Sequence, residues 1–130
     1  MNTTAFLLLR LAIGASMFGH GLVRLPKLNA FSSWMTGSFE NTLLPQIIVL
    51  PFSYVLPIAE FGIGLLLLLG LFTKTAATLG AIVMILLLIG TALIENREAI
   101  PSQLIHVLFF ALLLQFTDRN TFAMDMLIKK

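Results

Sequence analysis

A chain of 130 residues with 58% apolar and 11% charged side chains and a mean hydropathy of +1.00 is too apolar for an ordinary soluble domain, which runs at roughly 45–50% apolar and about 25% charged. The length fits one domain, and a net charge of +2 excludes a nucleic-acid reader, because so few basic residues cannot track a phosphate backbone. The absence of cysteine excludes a disulfide framework, thiol exchange, c-type haem attachment and any Cys-ligated metal or iron–sulfur centre.

A helix that crosses the ~30 Å hydrocarbon core needs about 20 mainly apolar residues. Thr4–Leu25 forms the first such window, interrupted by Arg10 and Arg24. It reads as a retained span and not as a cleaved leader, since it continues through Gly14, His20 and Gly21 without a small-x-small exit. Pro26–Pro51 is the one long connection. Within it Leu28, Phe31, Trp34 and Met35 recur at helical spacing, which predicts an interfacial helix anchored by Trp34; the alternative is a surface loop with some buried aromatics.

Phe52–Thr73 is the second window, interrupted by Glu60, and Pro57 is expected to kink it just before that acid. Lys74 marks a tight turn into the third window, Thr75–Ile94, and Pro101 is placed to open a fourth that runs on to Thr117. The expected fold is therefore all-α, an integral membrane bundle of four transmembrane helices spanning approximately residues 4–25, 52–73, 75–94 and 101–117. Lys and Arg count four on the side of the termini (Lys74, Arg119, Lys129, Lys130) against three opposite (Arg24, Lys27, Arg97). The balance tips toward cytoplasmic termini. Glycines inside the spans, such as Gly14, Gly21, Gly64 and Gly80, are expected at helix contacts, because small residues let backbones approach in lipid.

Ionisable groups at membrane depth are costly and usually turn inward to a partner. Ser16, His20 and Arg24 recur every four residues and form one polar stripe on the first span. Glu60 lies ~12 Å inside the second span at helical rise. His106 enters the last span with Gln103 and Phe110 on its face. The topology brings His20, Arg24, Glu60 and His106 into one leaflet half. Such a group can relay protons to a bound molecule. The plainer alternatives are a boundary charge at Arg24 and a packing pin at Glu60. Two imidazoles can also ligate haem or a metal, but no second pair of metal-type residues and no spacing motif supports that. Arg10 falls in the other half, where it is expected to snorkel to nearby headgroups.

The run LLLRLAIGASMFGHGLVRL from Leu7 to Leu25, the run EFGIGLLLLLGLFTKTAATLGAIVMILLL from Glu60 to Leu88, and the closing Asp118–Leu127 with Asp125 before two apolar residues together resemble the DoxX family of small four-helix membrane proteins. That family is named for the small subunit of a thiosulfate:quinone oxidoreductase, and its relatives are tied to redox or assembly roles in bacterial inner membranes. The resemblance carries over His20, Arg24 and Glu60 as functional positions. Arg24 stands where a lysine is more usual, and His106 is not carried by the resemblance. The expectation is thus a redox-associated subunit that binds quinone, with electrons from a partner redox protein. A noncatalytic membrane scaffold, a homo-oligomer and, last, a proton-coupled transporter are the competing expectations.

Overall fold

The computed structural model describes residues 1–128; Lys129 and Lys130, counted above for orientation, lie outside the described residues. Six helices follow in order: α1 (Thr3–Arg24), α2 (Leu28–Ser38), α3 (Gln46–Leu69), α4 (Thr73–Leu93), α5 (Ile100–Gln115) and the single turn α6 (Asp125–Ile128). Four of the described helices, α1, α3, α4 and α5, lie in stretches long and apolar enough to cross a membrane. The protein is a multi-pass membrane protein whose exposed apolar residues, among them Leu22, Val55, Ile85 and Leu108, meet acyl chains instead of water.

Local chemistry sets the helix ends. Asn2 caps α1, its side chain accepting from the Ala5 amide at 2.7 Å. Pro45 stands at the cap of α3 in an extended conformation, so α3 starts at Gln46, six residues ahead of the apolar window that opens at Phe52. Pro51 and Pro57 are both inside this helix. The long connection is accordingly mostly helical. Its α2 buries Met35 against Val49 and Leu56 and is tied to α3 by a Ser32–Ser53 hydroxyl bond of 2.7 Å and by Tyr54 donating to Asn29. Trp34 remains 57% exposed, as an interfacial aromatic should.

Packing in the bundle runs chiefly between α1 and α3 and between α4 and α5. Backbone contact between α1 and α3 is close enough that a methyl group on Gly64 would overlap the backbone of Phe18, and one on Gly21 would overlap that of Phe61. On the other pair, the Phe110 ring fills the space over Gly80. Gly21, Gly64 and Gly80 are spent on contacts within the chain. Phe6, Ile13, Met17, Leu67 and Leu113 complete the buried core.

At the end of the bundle away from Arg24, α3 stops at Gly70, which adopts φ 69° and closes a 6→1 bond from the Leu71 amide to the Leu66 carbonyl at 2.9 Å. The C-terminal segment folds back over this turn. Met124 and Asp125 donate their amides to the Leu69 and Gly70 carbonyls at 3.2 and 2.9 Å. The Asp125 carboxylate in turn accepts from the Phe72 and Thr73 amides that open α4, and Asn120 donates to Thr73 Oγ1 and Asp125 Oδ2.

This clasp corrects the expectation for Arg10. The residue is 3% exposed and donates from NH1 to Asn120 Oδ1 at 2.8 Å. A protein acceptor roofed over by the returning segment is nearer than any headgroup, so the guanidinium stays inside. Burial works to raise the Asp125 carboxyl, but the hydrogen bonds from Thr73 and Phe72 and the Arg10 charge outweigh it and hold the group below its ordinary value.

Two outcomes follow. Gly64→Ala forces two backbones apart and is expected to cost about 1–3 kcal/mol, seen as a lower unfolding temperature in detergent, while Gly62→Ala, whose added methyl meets nothing within 4 Å, does not lower it. Because the folded Asp125 is the stronger acid, its contribution is complete at neutral pH and is lost as pH falls through the lowered value, below the ordinary carboxylate range of about 3.9. Limited proteolysis of the C-terminal segment across pH 6 to 2 should show protection that fails at the acid end, and Asp125→Asn should show weak protection at every pH.

Candidate functional site

At the opposite end of the bundle, the helical period of α1 puts Ser16, His20 and Arg24 on one face, and the contact with α3 sets that face against Glu60. Arg24 NH1 donates to Glu60 Oε1 at 2.6 Å. Glu60 is 2% exposed, while the Arg24 side chain is about one-third exposed and lies over the Phe31 ring of α2, 4.6 Å from its centroid. The pair is thus sealed on the carboxylate side and accessible on the guanidinium side.

His106 reaches the same layer from α5. Its Nδ1 lies 2.7 Å from the Ser102 carbonyl, which can only accept, so Nδ1 carries a proton and the neutral ring's Nε2 accepts from the Ser16 hydroxyl at 2.8 Å. His20 is fixed the same way, with Nδ1 donating to the Ser16 carbonyl at 2.6 Å. The two imidazoles stand edge to face with centroids 6.3 Å apart. Ser16 therefore joins both rings, through its hydroxyl and through its carbonyl. All four candidates, His20, Arg24, Glu60 and His106, are brought to one region, though His20 is on the exposed surface of α1. Among the described residues no group of three or more His, Cys, Asp or Glu is placed to hold a metal ion.

Two openings meet at Arg24. An open groove runs along α1 past Ser16, Gly19 and His20 to Arg24. On the other side lies a cavity of about 470 Å³, within the size range of small-molecule sites. Phe31, Trp34, Phe39 and Phe52 give it an aromatic wall, Leu87 and Ile94 an aliphatic one, and Arg24, Thr91, Asn96 and Gln103 are its polar members. Ile48 and Ile89, both more than half exposed, also line it, so it opens toward lipid. The polar pattern of the sequence marks the ion pair and the histidines. The cavity and the roles of Thr91 and Gln103 do not show there, because they depend on α2 folding back over α3 and α4; the only sequence signal is the place of Gln103 on the His106 face.

Removing one partner of a buried ion pair leaves the other unpaired, at a cost of about 3 kcal/mol, whereas replacing both with apolar residues costs far less. Arg24→Leu is accordingly expected to lower the unfolding temperature in detergent more than the double variant Arg24→Leu/Glu60→Leu.

Neither a search of curated proteins nor one of solved structures finds a match. The DoxX family model matches residues 5–93, a stretch that holds nearly all of α1, the whole of α2 and α3, and α4. With more than half its length matched, and with the four-helix membrane architecture in place, the chain belongs to the DoxX family.

Proposed function

We propose that this chain is a redox-associated subunit of the bacterial cytoplasmic membrane that binds a quinone ring in the aromatic cavity, with one ring oxygen on Arg24. The observation that carries this reading is the Arg24 guanidinium, partly exposed, tied to the buried Glu60 and lining an apolar cavity that opens to lipid. A lipophilic ring with a carbonyl oxygen matches both features. The aromatic wall takes the ring and lipid access admits its tail. Arg24 has five N–H donors, of which one is engaged by Glu60, so others remain for the ligand.

Reduction of a quinone to a quinol takes two electrons and two protons. The electrons come from a partner redox protein, since the chain has no cysteine and carries no cofactor motif. Protons reach the ring from the histidine side, where imidazoles can carry them, and the Glu60 carboxyl bonded to Arg24 can act as acid or base. The exposed surface of His20 gives this relay its outer end. The scaffold reading draws less support, because the small residues that would dock a neighbour are mostly used inside the bundle.

The single tryptophan, Trp34, lines the cavity, so a quinone seated there should quench its fluorescence. Titration of the purified protein in nanodiscs with a decyl-chain benzoquinone is expected to give saturable quenching. Hydrogen bonds to charged groups contribute about 1.5–3 kcal/mol, so Arg24→Leu should weaken binding by about ten- to a hundredfold. Absence of saturable quenching in wild type, together with no quinone in the extract of the purified protein, overturns the reading.

A further inference from the structure

We infer that the Gln103 side-chain amide is the second polar contact of this cavity's ligand, holding the ring oxygen that Arg24 does not reach. The inference rests on the quinone reading above and adds a residue beyond the stretch matched by the family model, which ends at residue 93.

Gln103 donates from Nε2 to Thr91 Oγ1 at 2.9 Å, and its Oε1 is buried without any hydrogen-bond partner. A buried oxygen left so is costly, and a polar ligand atom or a water in the adjoining cavity would satisfy it. Both Thr91 and Gln103 line the 470 Å³ cavity. The helix geometry places the amide level with Arg24. Gln103 precedes His106 by three residues on α5, and Arg24 follows His20 by four on α1, so each is one turn from its imidazole. Those imidazoles are 6.3 Å apart on helices that run in opposite directions, and one turn toward the same end of the bundle brings Gln103 and Arg24 to a common depth.

The amide also has a chemical property that Arg24 lacks. A guanidinium only donates, and so it suits the carbonyl of the oxidised ring. A carboxamide both donates and accepts. With a small rotation that brings the buried Oε1 to the cavity wall, it can take the O–H of a quinol. With the amide turned over about its last torsion, NH₂ points to a quinone carbonyl and Oε1 accepts from the Thr91 hydroxyl. Gln103 therefore keeps its contact in either redox state, whereas Arg24 favours the oxidised form.

The test is Trp34 quenching by the decyl-chain benzoquinone, with the corresponding quinol added as a competitor. One neutral hydrogen bond contributes about 0.5–1.5 kcal/mol, so Gln103→Leu should weaken both quinone and quinol by about three- to tenfold. Gln103→Met, similar in length and without an amide, is measured beside it so that poor folding of one variant does not decide the result. Arg24→Leu should weaken the quinone more than the quinol. Quinone binding that is lost in Arg24→Leu but unchanged in both Gln103 variants overturns the role of Gln103 and leaves the quinone reading standing. No saturable quenching in wild type overturns both.

Discussion

The Arg24–Glu60 pair is the constraint on which the functional end of the molecule depends. A carboxylate cannot be left alone in the interior of a bundle, and in this chain its partner comes from another helix, 36 residues earlier, at 2.6 Å. That bond fixes the rotation of α1 against α3. It is compatible with dense packing only because Gly21 and Gly64 let the two backbones touch. Once α1 is turned so, the rest of its polar stripe has no freedom: Ser16 must meet α5, and His20 must stand beside His106.

The bundle's two ends use similar residues for different ends. The Arg10 end is closed. Arg10 NH1, Asn120, Thr73 and the Asp125 carboxylate bond to one another and to the start of α4, with Arg10 Nε buried and unpaired, and a methyl on Gly70 would collide with both Ala123 and Arg10. The Arg24 end is open, with an ion pair accessible on one side and a buried amide oxygen lacking a partner. The two arginines differ in access: Arg10 is closed over by the returning C-terminal segment, whereas Arg24 is partly exposed and lines an open cavity.

The four long apolar helices and the helix within the long connection were legible because they follow from local quantities: apolar run length and helical period. Leu28, Phe31 and Met35 repeat with the helix, and α2 forms there. Where the chain's own tertiary contacts decide, the pattern was silent. Arg10 reads as a boundary charge until Asn120 returns from 110 residues away. Pro51 reads as the end of a loop, yet it lies inside α3, past the first turn, where it forgoes the amide bond to the Ile47 carbonyl. The cavity has almost no signature, since its walls come from α1, α2, α3, α4, the connection into α5 and α5 itself.

The position of Arg24 between the histidine groove and the aromatic cavity has a chemical consequence. Electrons and protons that meet on a quinone need not arrive from the same side, and here the lining residues differ in kind: hydroxyl and imidazole along α1 on one side, ring and aliphatic surfaces on the other. The groove also carries Ala15, Gly19 and Val23, so its polar character is confined to the Ser16, His20 and Arg24 stripe. Arg24 lines both the groove and the cavity. In the proposed function the guanidinium that Glu60 holds keeps the ligand oxygen in position, so a single bond between α1 and α3 serves both the architecture and the chemistry proposed for it.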